Sequence, residues 1–325
     1  MSDASEIWVL TDGRAGNEAQ ALGLAEAVAR IRTMRISSKP ITLKRWAALL
    51  PPGLLQGLRY SRKGWPFSGL AEGAEQFHWP WPDLVIGAGR RSAPVVAAIR
   101  ELNAVAAVQL LNPKMKLNAF DAVVVPQHDG LAGANVLSTL GAVSRLTAEG
   151  VKVAADAWRE RLAHLRSPRL AVMIGGPSKS AQFGTGDERT LCLALETLQR
   201  DYGLLVTTSR RTSAGFADKL RGALGPDAFV WSGEGDNPYP AILGLADAVL
   251  VTEDSVNMAS EAASTGLPVH VFPVGRIAPK MAAFHDALVA HGASRRFRGE
   301  IGRWAYTPLA EADRIAADLV RRGIV

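Results

Sequence analysis

Apolar runs of strand length alternate with longer amphipathic stretches along most of the chain. Ile7-Trp8-Val9-Leu10, Asp83 to Gly87, Val105 to Leu111 and Ala122 to Val125 read as strands, and Asn17 to Arg30 and Arg91 to Leu102 as helices. Such alternation predicts βαβ units and a parallel sheet. A long helix is expected from Ala148 to Leu165, broken by Ser167-Pro168, which places a hinge at about 166–168. The alternation then restarts: Leu170 to Ile174, a helix from Asp187 to Arg200, Leu204 to Thr207, a helix from Ala214 to Leu224, and Phe229 to Trp231. With 325 residues, more than one core is expected. The reading is α/β, with two doubly wound Rossmann-like domains, 1–166 and 167–308, facing across a cleft. A last helix, Leu309 to Arg322 after Pro308, is free to pack back on the first domain.

The segment from Leu245 to Pro273, LADAVLVTEDSVNMASEAASTGLPVHVFP, repeats this strand, helix, strand pattern with distinctive polar residues. Asp254 or Ser255 can cap the helix, so that its first N–H groups and positive dipole end face the C-terminal edge of the strand. Such an end attracts phosphate. Glu261 stands one turn beyond Asn257 on the same face. There a carboxylate can accept two hydrogen bonds from the vicinal hydroxyls of a ribose, or stand as a solvated charge on an ordinary crossover helix.

Each half opens with a polar, glycine-bearing loop after its first strand. In the second half it is Ile174-Gly175-Gly176-Pro177-Ser178-Lys179-Ser180, where glycines let backbone approach a ligand and Lys179 and the hydroxyls can meet a diphosphate. In the first half it is Thr11-Asp12-Gly13-Arg14-Ala15-Gly16-Asn17, running into a helix that carries Gln20. Neither is a G-x-x-x-x-G-K-[ST] or G-x-G-x-x-G loop, which lowers the case for kinase-like ATP use and for a standard dinucleotide site. Gly87-Ala88-Gly89-Arg90-Arg91 comes nearest to the latter and lacks its third glycine.

Charge changes the picture in one place. The net charge is +6, and from Val28 to Ala71 there is no Asp or Glu, while Arg30, Arg32, Arg35, Lys39, Lys44, Arg45, Arg59, Arg62 and Lys63 all fall there. Interleaved with them are Trp46, Leu49, Leu50, Leu54, Leu55, Leu58, Tyr60, Trp65 and Phe67. This stretch, about 30–67, suits an anionic membrane surface or a lipid-linked acceptor. The alternative is two short helices broken at Pro51-Pro52, packing leucines on the core and holding their charges in water. Nucleic acid is not expected, because no recognised binding module frames the basic residues.

The lone cysteine, Cys192, allows no internal disulfide and fits a reducing, cytoplasmic compartment; its setting in LCLALETL suggests the core. No apolar run reaches transmembrane length, and polar Met1 to Glu6 leads straight into a strand, so neither a spanning helix nor a secretory leader is expected. The histidines at 78, 128, 164, 270, 285 and 291 form no helical pair with carboxylates, so neither metal nor cofactor is expected. No G-x-S-x-G elbow suggests a serine hydrolase. Oligomeric state is not legible.

The run Ser260-Glu261-Ala262-Ala263-Ser264-Thr265-Gly266-Leu267-Pro268 resembles the nucleotide-sugar motif of GT-B glycosyltransferases, especially the bacterial N-acetylglucosaminyltransferases that build the lipid-linked peptidoglycan precursor. The loop Gly175 to Ser178 resembles the glycine-rich loop of their donor domain, and Gly13 to Asn17 the acceptor-domain loop. The resemblance implies that Glu261 binds a ribose, with Ser178 and Ser255 near the diphosphate. More extensively, TDGRAGNEAQALGLAEA, GAGRRSAPV, LLNPK, FDAVVVPQHDG, IGGPSKS, TTSRRT and VTEDSVNMASEAASTGLPV, in this order, resemble the mitochondrial fission ELM-type family, which includes bacterial proteins of unassigned activity. That resemblance implies the GT-B fold, and its plant members imply a role in recruiting a dynamin-like protein.

For a transferase, negative charge grows on the departing diphosphate and fixed donors must stabilise it. Gly175, Gly176, Ser178, Lys179, Arg210, Arg211, Asp254, Ser255, Asn257 and Glu261 make up the candidate nucleotide site, and Arg14 could reach across a closed cleft. Gly13, Arg14, Gly16, Asn17, Gln20 and Asn112 make up the acceptor side. Asp12, His128 and Asp129 are the candidates for a catalytic base near strand ends; Asp12 can equally be a turn or cap residue, and His128 a loop residue. Three functions follow: a glycosyltransferase using a nucleotide sugar, UDP-linked in first place, with a lipid or membrane-proximal acceptor; a nucleotide-sugar 2-epimerase; or a nucleotide-retaining protein that recruits a partner without catalysis.

Overall fold

A computed structural model describes residues 5–55, 57–61 and 63–325. Arg62, counted above among the basic residues, and Met1 to Ala4 lie outside them. The chain divides into two compact units, residues 1–145 with 310–325, and residues 146–309.

The first unit carries β1 (Glu6–Thr11), α1 (Ala15–Ile31) and β2 (Arg35–Pro40). A small two-stranded sheet follows, β3 (Thr42–Leu43) with β4 (Leu70–Glu72), and between these strands lie the short helices α2 (Arg45–Leu49) and α3 (Pro52–Leu55). Then come β5 (Leu84–Ala88), α4 (Ala93–Asn103), β6 (Ala106–Leu110), β7 (Ala122–Pro126) and β8 (Val136–Thr139). The main sheet is parallel in the order β2-β1-β5-β6-β7-β8. Strand β1 shows why the sheet is buried on both faces. Ile7 and Val9 join Leu24 and Val28 of α1 on one face, while Trp8 and Leu10 join Val96 and Ile99 of α4 with Trp65 and Phe67 on the other. Strands β2 and β8 fall outside the predicted elements: RISSKP is too polar and VLST too short to stand out as apolar runs.

The second unit starts with α5 (Ala148–Trp158) and β9 (Arg169–Ile174), then α6 (Thr185–Leu198), β10 (Gly203–Thr208), α7 (Ala214–Leu224) and β11 (Ala228–Trp231). It continues through α8 (Tyr239–Leu245), β12 (Ala248–Thr252), α9 (Val256–Ala263), β13 (Val269–Phe272), α10 (Pro279–Ala290) and β14 (Ser294–Arg296). Its parallel sheet has the order β11-β10-β9-β12-β13-β14. That order reverses direction between β9 and β12, and such a switch point opens a crevice beyond the carboxyl ends of the strands. In the first unit the equivalent point lies between β1 and β5.

The unit boundary at 145/146 lies some twenty residues before the expected hinge at 166–168. The cause is α5, which packs on α8 of the second unit; a Cβ at Gly244 would lie 2.8 Å from Ala155 Cβ and from the Val151 carbonyl oxygen. This helix also stops at Trp158 rather than Leu165. Cys192 is half-buried at the edge of the second core, not inside it, with its thiol 3.7 Å from Glu196 Oε1.

The last helix, α11 (Glu311–Arg321), packs on α1 in the first unit through Ala312, Ile315, Ala316 and Leu319. Buried Glu311 fastens its start by accepting the Leu140 N–H at 2.7 Å and the Arg314 guanidinium. Removing that carboxylate leaves the Leu140 N–H unpaired and takes one partner from Arg314, which keeps the Ser138 carbonyl and Asp318, so Glu311→Ala should cost about 2 kcal/mol in the urea unfolding of this unit. An unchanged midpoint would show that α11 is held by its apolar face alone.

Candidate functional site

In the second unit the loops after β9, β10 and β12 converge at the carboxyl edge of the sheet. Their centre is Asp254, 3% exposed, whose Oδ2 accepts the Gly176 N–H at 2.7 Å and the Arg211 guanidinium at 2.8 Å. Arg211 also donates to the carbonyl oxygens of Gly176 and Pro177, so one side chain ties the β9 loop to the β12 loop. The Gly175 N–H is taken by Thr252 Oγ1 at 2.8 Å, and Thr212 Oγ1 donates to the Gly175 carbonyl. The two glycines are set by these approaches: a Cβ at Gly175 would lie 2.0 Å from Asp254 Oδ2, and one at Gly176 2.3 Å from the Arg211 carbonyl oxygen.

Gly175, Gly176 and Arg211, expected at a diphosphate, are first committed to this junction. Both amides are used within the protein, and Arg211, with its side chain 36% exposed, neutralises a buried carboxylate. Among the residues expected at the site, Lys179 and Arg210 are cations left exposed. Ser178 is exposed as well, and its Oγ accepts the Ser180 N–H at 3.1 Å. The loop is pinned by a second backbone pairing, Gln182 N–H to the Arg276 carbonyl at 2.8 Å and Ala278 N–H to the Ser180 carbonyl at 2.7 Å. A hollow of about 540 Å³ lies along it, lined by Lys179, Ser180, Gln182 and Arg276 among others.

Ser255, not Asp254, caps α9, with its Oγ accepting the Met258 N–H at 3.4 Å. The amides of Val256 and Asn257 stand in the first turn after that cap, and the residue before it, Asp254, keeps its Oδ1 buried without a hydrogen-bond partner among the described residues. Glu261 lies six residues on, a rise of about 9 Å along the helix, on the face it shares with half-buried Asn257. Its Oε2 accepts the phenolic O–H of Tyr239 at the start of α8. Burial pushes the Glu261 carboxyl up to about 7, against the lowering effect of the Tyr239 hydrogen bond. Burial, then the adjacent Glu261 charge, raises the Tyr239 phenol well above its usual range. Tyr239 was not legible beforehand: it sits between two prolines, 22 positions from its partner.

In the first unit, the loop after β1 closes on itself. Asp12 Oδ1 accepts from the Arg14 N–H at 3.3 Å and from Asn17 Nδ2 at 3.2 Å, and Arg14 Nε stands 3.7 Å from Asp12 Oδ2. Arg14 is thus paired within its own loop. Gly89, at φ +80°, turns the β5 loop against Asn17, where a Cβ would come within 2.6 Å of Asn17 Nδ2. Gln20 is buried in α1, Gly13 and Arg14 are exposed and Gly16 is half-buried. Asn112 closes its own turn by accepting the Lys114 N–H at 2.9 Å. His128 and Asp129 follow β7 on the same sheet edge, three strands from β1, which at the spacing of a parallel sheet is about 14 Å away. Asp12 and the His128-Asp129 pair therefore cannot share one proton.

The mitochondrial fission ELM1 profile matches residues 15–323. The chain belongs to the mitochondrial fission ELM1 family. Mitochondrial fission protein ELM1 of Arabidopsis thaliana is 31% identical over 277 residues, 74% of this chain and 65% of the plant protein, so the chain spans about two thirds of that relative's length. Among solved structures, the glycotransferase of kitacinnamycin matches with a TM-score of 0.53 at 14% identity, covering 98% of this chain and 90% of that one. The UDP-GlcNAc 2-epimerase from Neisseria meningitidis, bound to UDP-GlcNAc, matches with a TM-score of 0.52 at 12% identity, covering 97% and 90%. The family is shared with the plant protein and the fold alone with these structures, the fold of GT-B glycosyltransferases and related epimerases.

Two outcomes test the second unit's geometry. Gly176→Ala places a methyl against backbone that cannot withdraw like a side-chain tip, and should lower unfolding stability by about 2 kcal/mol or more. A wild-type denaturation curve would contradict the close approach. The raised Glu261 pKa means that the folded state holds this proton more tightly than the unfolded chain. Its stabilising contribution is full below the unfolded value near 4.5 and is lost as pH rises through about 7. Glu261→Gln should therefore raise the melting temperature relative to wild type at pH 8 and change it little at pH 4; equal shifts at both would show that the carboxyl titrates normally.

Proposed function

We propose that the protein binds a nucleoside-diphosphate sugar, UDP-linked in first place, in its second unit, and transfers the glycosyl group to a membrane-proximal acceptor. The observation that carries this reading is the pairing of a Ser255-capped helix end with a partly buried Glu261 farther along the same helix, at the switch point of a 3-2-1-4-5-6 type sheet. A diphosphate at the amides of Val256 and Asn257 leaves the ribose within reach of Glu261. Lys179 and Arg210 would balance the charge that develops as the diphosphate departs. That one solved neighbour holds UDP-GlcNAc and another is an MnaA–UDP co-structure supports uridine as the first base to try. Proton removal from the acceptor would fall to Asp12 or to the His128-Asp129 pair, not to both.

The acceptor's chemistry is suggested by the first unit's surface. Of the leucines that the core-packing alternative placed inside, Leu55 is buried, along with Tyr60, Trp65 and Phe67, but Leu49 is 81% and Leu54 68% exposed, with Trp46, Leu50 and Leu58 exposed beside Lys44, Arg45 and Arg59. Such a face suits an anionic bilayer at the inner side of a membrane, and so a lipid-linked acceptor. Among the described residues no helix is long and apolar enough to cross one.

A second reading, nucleotide binding or partner recruitment without turnover, is favoured by one observation. The Asp254–Arg211 tie holds the loop in shape by itself and consumes donors that a transferase would turn toward the diphosphate.

Calorimetric titration with UDP, GDP and their sugar conjugates separates these. UDP should bind, and Glu261→Ala should weaken it by about tenfold or more through loss of a ribose contact. Because the hydroxyls donate to a carboxylate, affinity should rise as pH increases through about 7. Binding without nucleotide release when lipid vesicles are supplied would favour the second reading. Sugar inversion without acceptor would favour a 2-epimerase, and no binding by any nucleotide would remove both enzyme readings.

A further inference from the structure

Beside the exposed leucines lies a pocket of about 460 Å³, formed in the first unit by the chain from Gly57 to Tyr60, the end of α4 and the turn at 116–119. Its polar lining is Arg59, Tyr60, Arg100, Glu101, Lys116 and Asn118. Arg100 is held in place by two bonds to Asp121, at 2.9 and 2.8 Å, and that carboxylate is itself fixed by the Ala107 N–H. Tyr60 is 8% exposed, and its phenolic oxygen is buried with no hydrogen-bond partner among the described residues. A buried hydroxyl without a partner is costly, and its presence in the wall of a polar pocket points to a ligand that supplies one. Arg59, Lys116 and Glu101 are exposed at the rim, and Leu58, also exposed, joins the pocket to the apolar face that carries Leu54.

We propose that this pocket receives the headgroup of an anionic membrane lipid, a phosphodiester that carries free hydroxyls. Arg59 and Lys116 meet the phosphodiester charge, the Tyr60 hydroxyl donates to one of its oxygens, and Glu101, which a bare phosphate would be repelled by, accepts from a headgroup hydroxyl. The acyl chains then lie along Leu54 and Leu58. This makes the basic stretch a headgroup-selective contact rather than a diffuse electrostatic one. It deepens the membrane reading above and is independent of the nucleotide site.

The test is flotation of the full chain, without nucleotide, on vesicles of phosphatidylcholine alone and of phosphatidylcholine with phosphatidylglycerol, with glycerophosphoglycerol as the soluble headgroup. The wild type should float only with phosphatidylglycerol, and the soluble headgroup should compete. Arg59→Glu should weaken vesicle binding by roughly tenfold. Tyr60→Phe should weaken it about threefold to tenfold while the melting temperature stays level or rises, since it removes an unpaired buried hydroxyl. Double substitution of Leu54 and Leu58 by Ser should release the protein from vesicles but leave headgroup binding intact. If flotation is lost on the leucine substitutions yet indifferent to Arg59→Glu and Tyr60→Phe, the pocket proposal falls and the membrane reading stands. If the wild type ignores phosphatidylglycerol, both fall. If the soluble headgroup binds as tightly as vesicles and the leucines do not matter, the ligand is a soluble phosphate ester and the lipid assignment is overturned.

Discussion

A carboxylate buried without compensation is too costly to keep charged, and the second unit is arranged around meeting that demand for Asp254. One of its oxygens takes the Gly176 amide and the Arg211 guanidinium, and through them the loops after three different strands are locked together. The constraint reaches back into the sequence. Gly175 has no room for a Cβ because Asp254 fills it, and Gly176 has none because the backbone at Arg211 does. It also reaches forward into chemistry: with those donors used, the exposed cations at this edge include Lys179, Arg210 and Arg276. The other oxygen of Asp254 stays buried and unpaired, which keeps an acceptor at the same edge.

The same topological rule organises the first unit, with a different result. At its switch point, the loop after β1 and the loop after β5 meet through Asn17 and Gly89, and Asp12 gathers Arg14 and Asn17 around itself. Here the carboxylate, its side chain 3% exposed, gathers a short turn whose Gly13 and Arg14 stay exposed, which suits a surface that receives a second molecule. The sheet also separates the proton acceptors that sequence could only name together, since strand order puts β7 well away from β1.

Most strands and helices were legible because buried parallel strands read as apolar runs and their crossover helices as periodic ones. The elements missed include β2, polar and at a sheet edge, the short strands β3, β4, β8 and β14, and the helices α8 and α10, both of which begin beside prolines. The boundary was misplaced too. Ser167-Pro168 marks a local break, whereas the affiliation of α5 is decided by its packing on α8, distant in sequence. At the site, residue types were legible and roles were not. Glycines chosen for a ligand serve a buried carboxylate first, Arg211 is committed to Asp254, and Tyr239 was invisible because nothing in its spacing links it to Glu261. The basic stretch divides as well: Leu55, Tyr60, Trp65 and Phe67 enter the core, while Trp46, Leu49, Leu50, Leu54 and Leu58 stay outside.

The central claim is that the capped end of α9 and the carboxylate farther along it form one ligand site. A crystal structure of the protein with UDP tests this most directly. The account predicts the diphosphate at the amides of Val256 and Asn257 and the ribose hydroxyls on Glu261, with Tyr239 still bonded to that carboxylate or displaced by the sugar. A uridine diphosphate seated elsewhere, with the Glu261–Tyr239 pair untouched and α9's first turn empty, would contradict it.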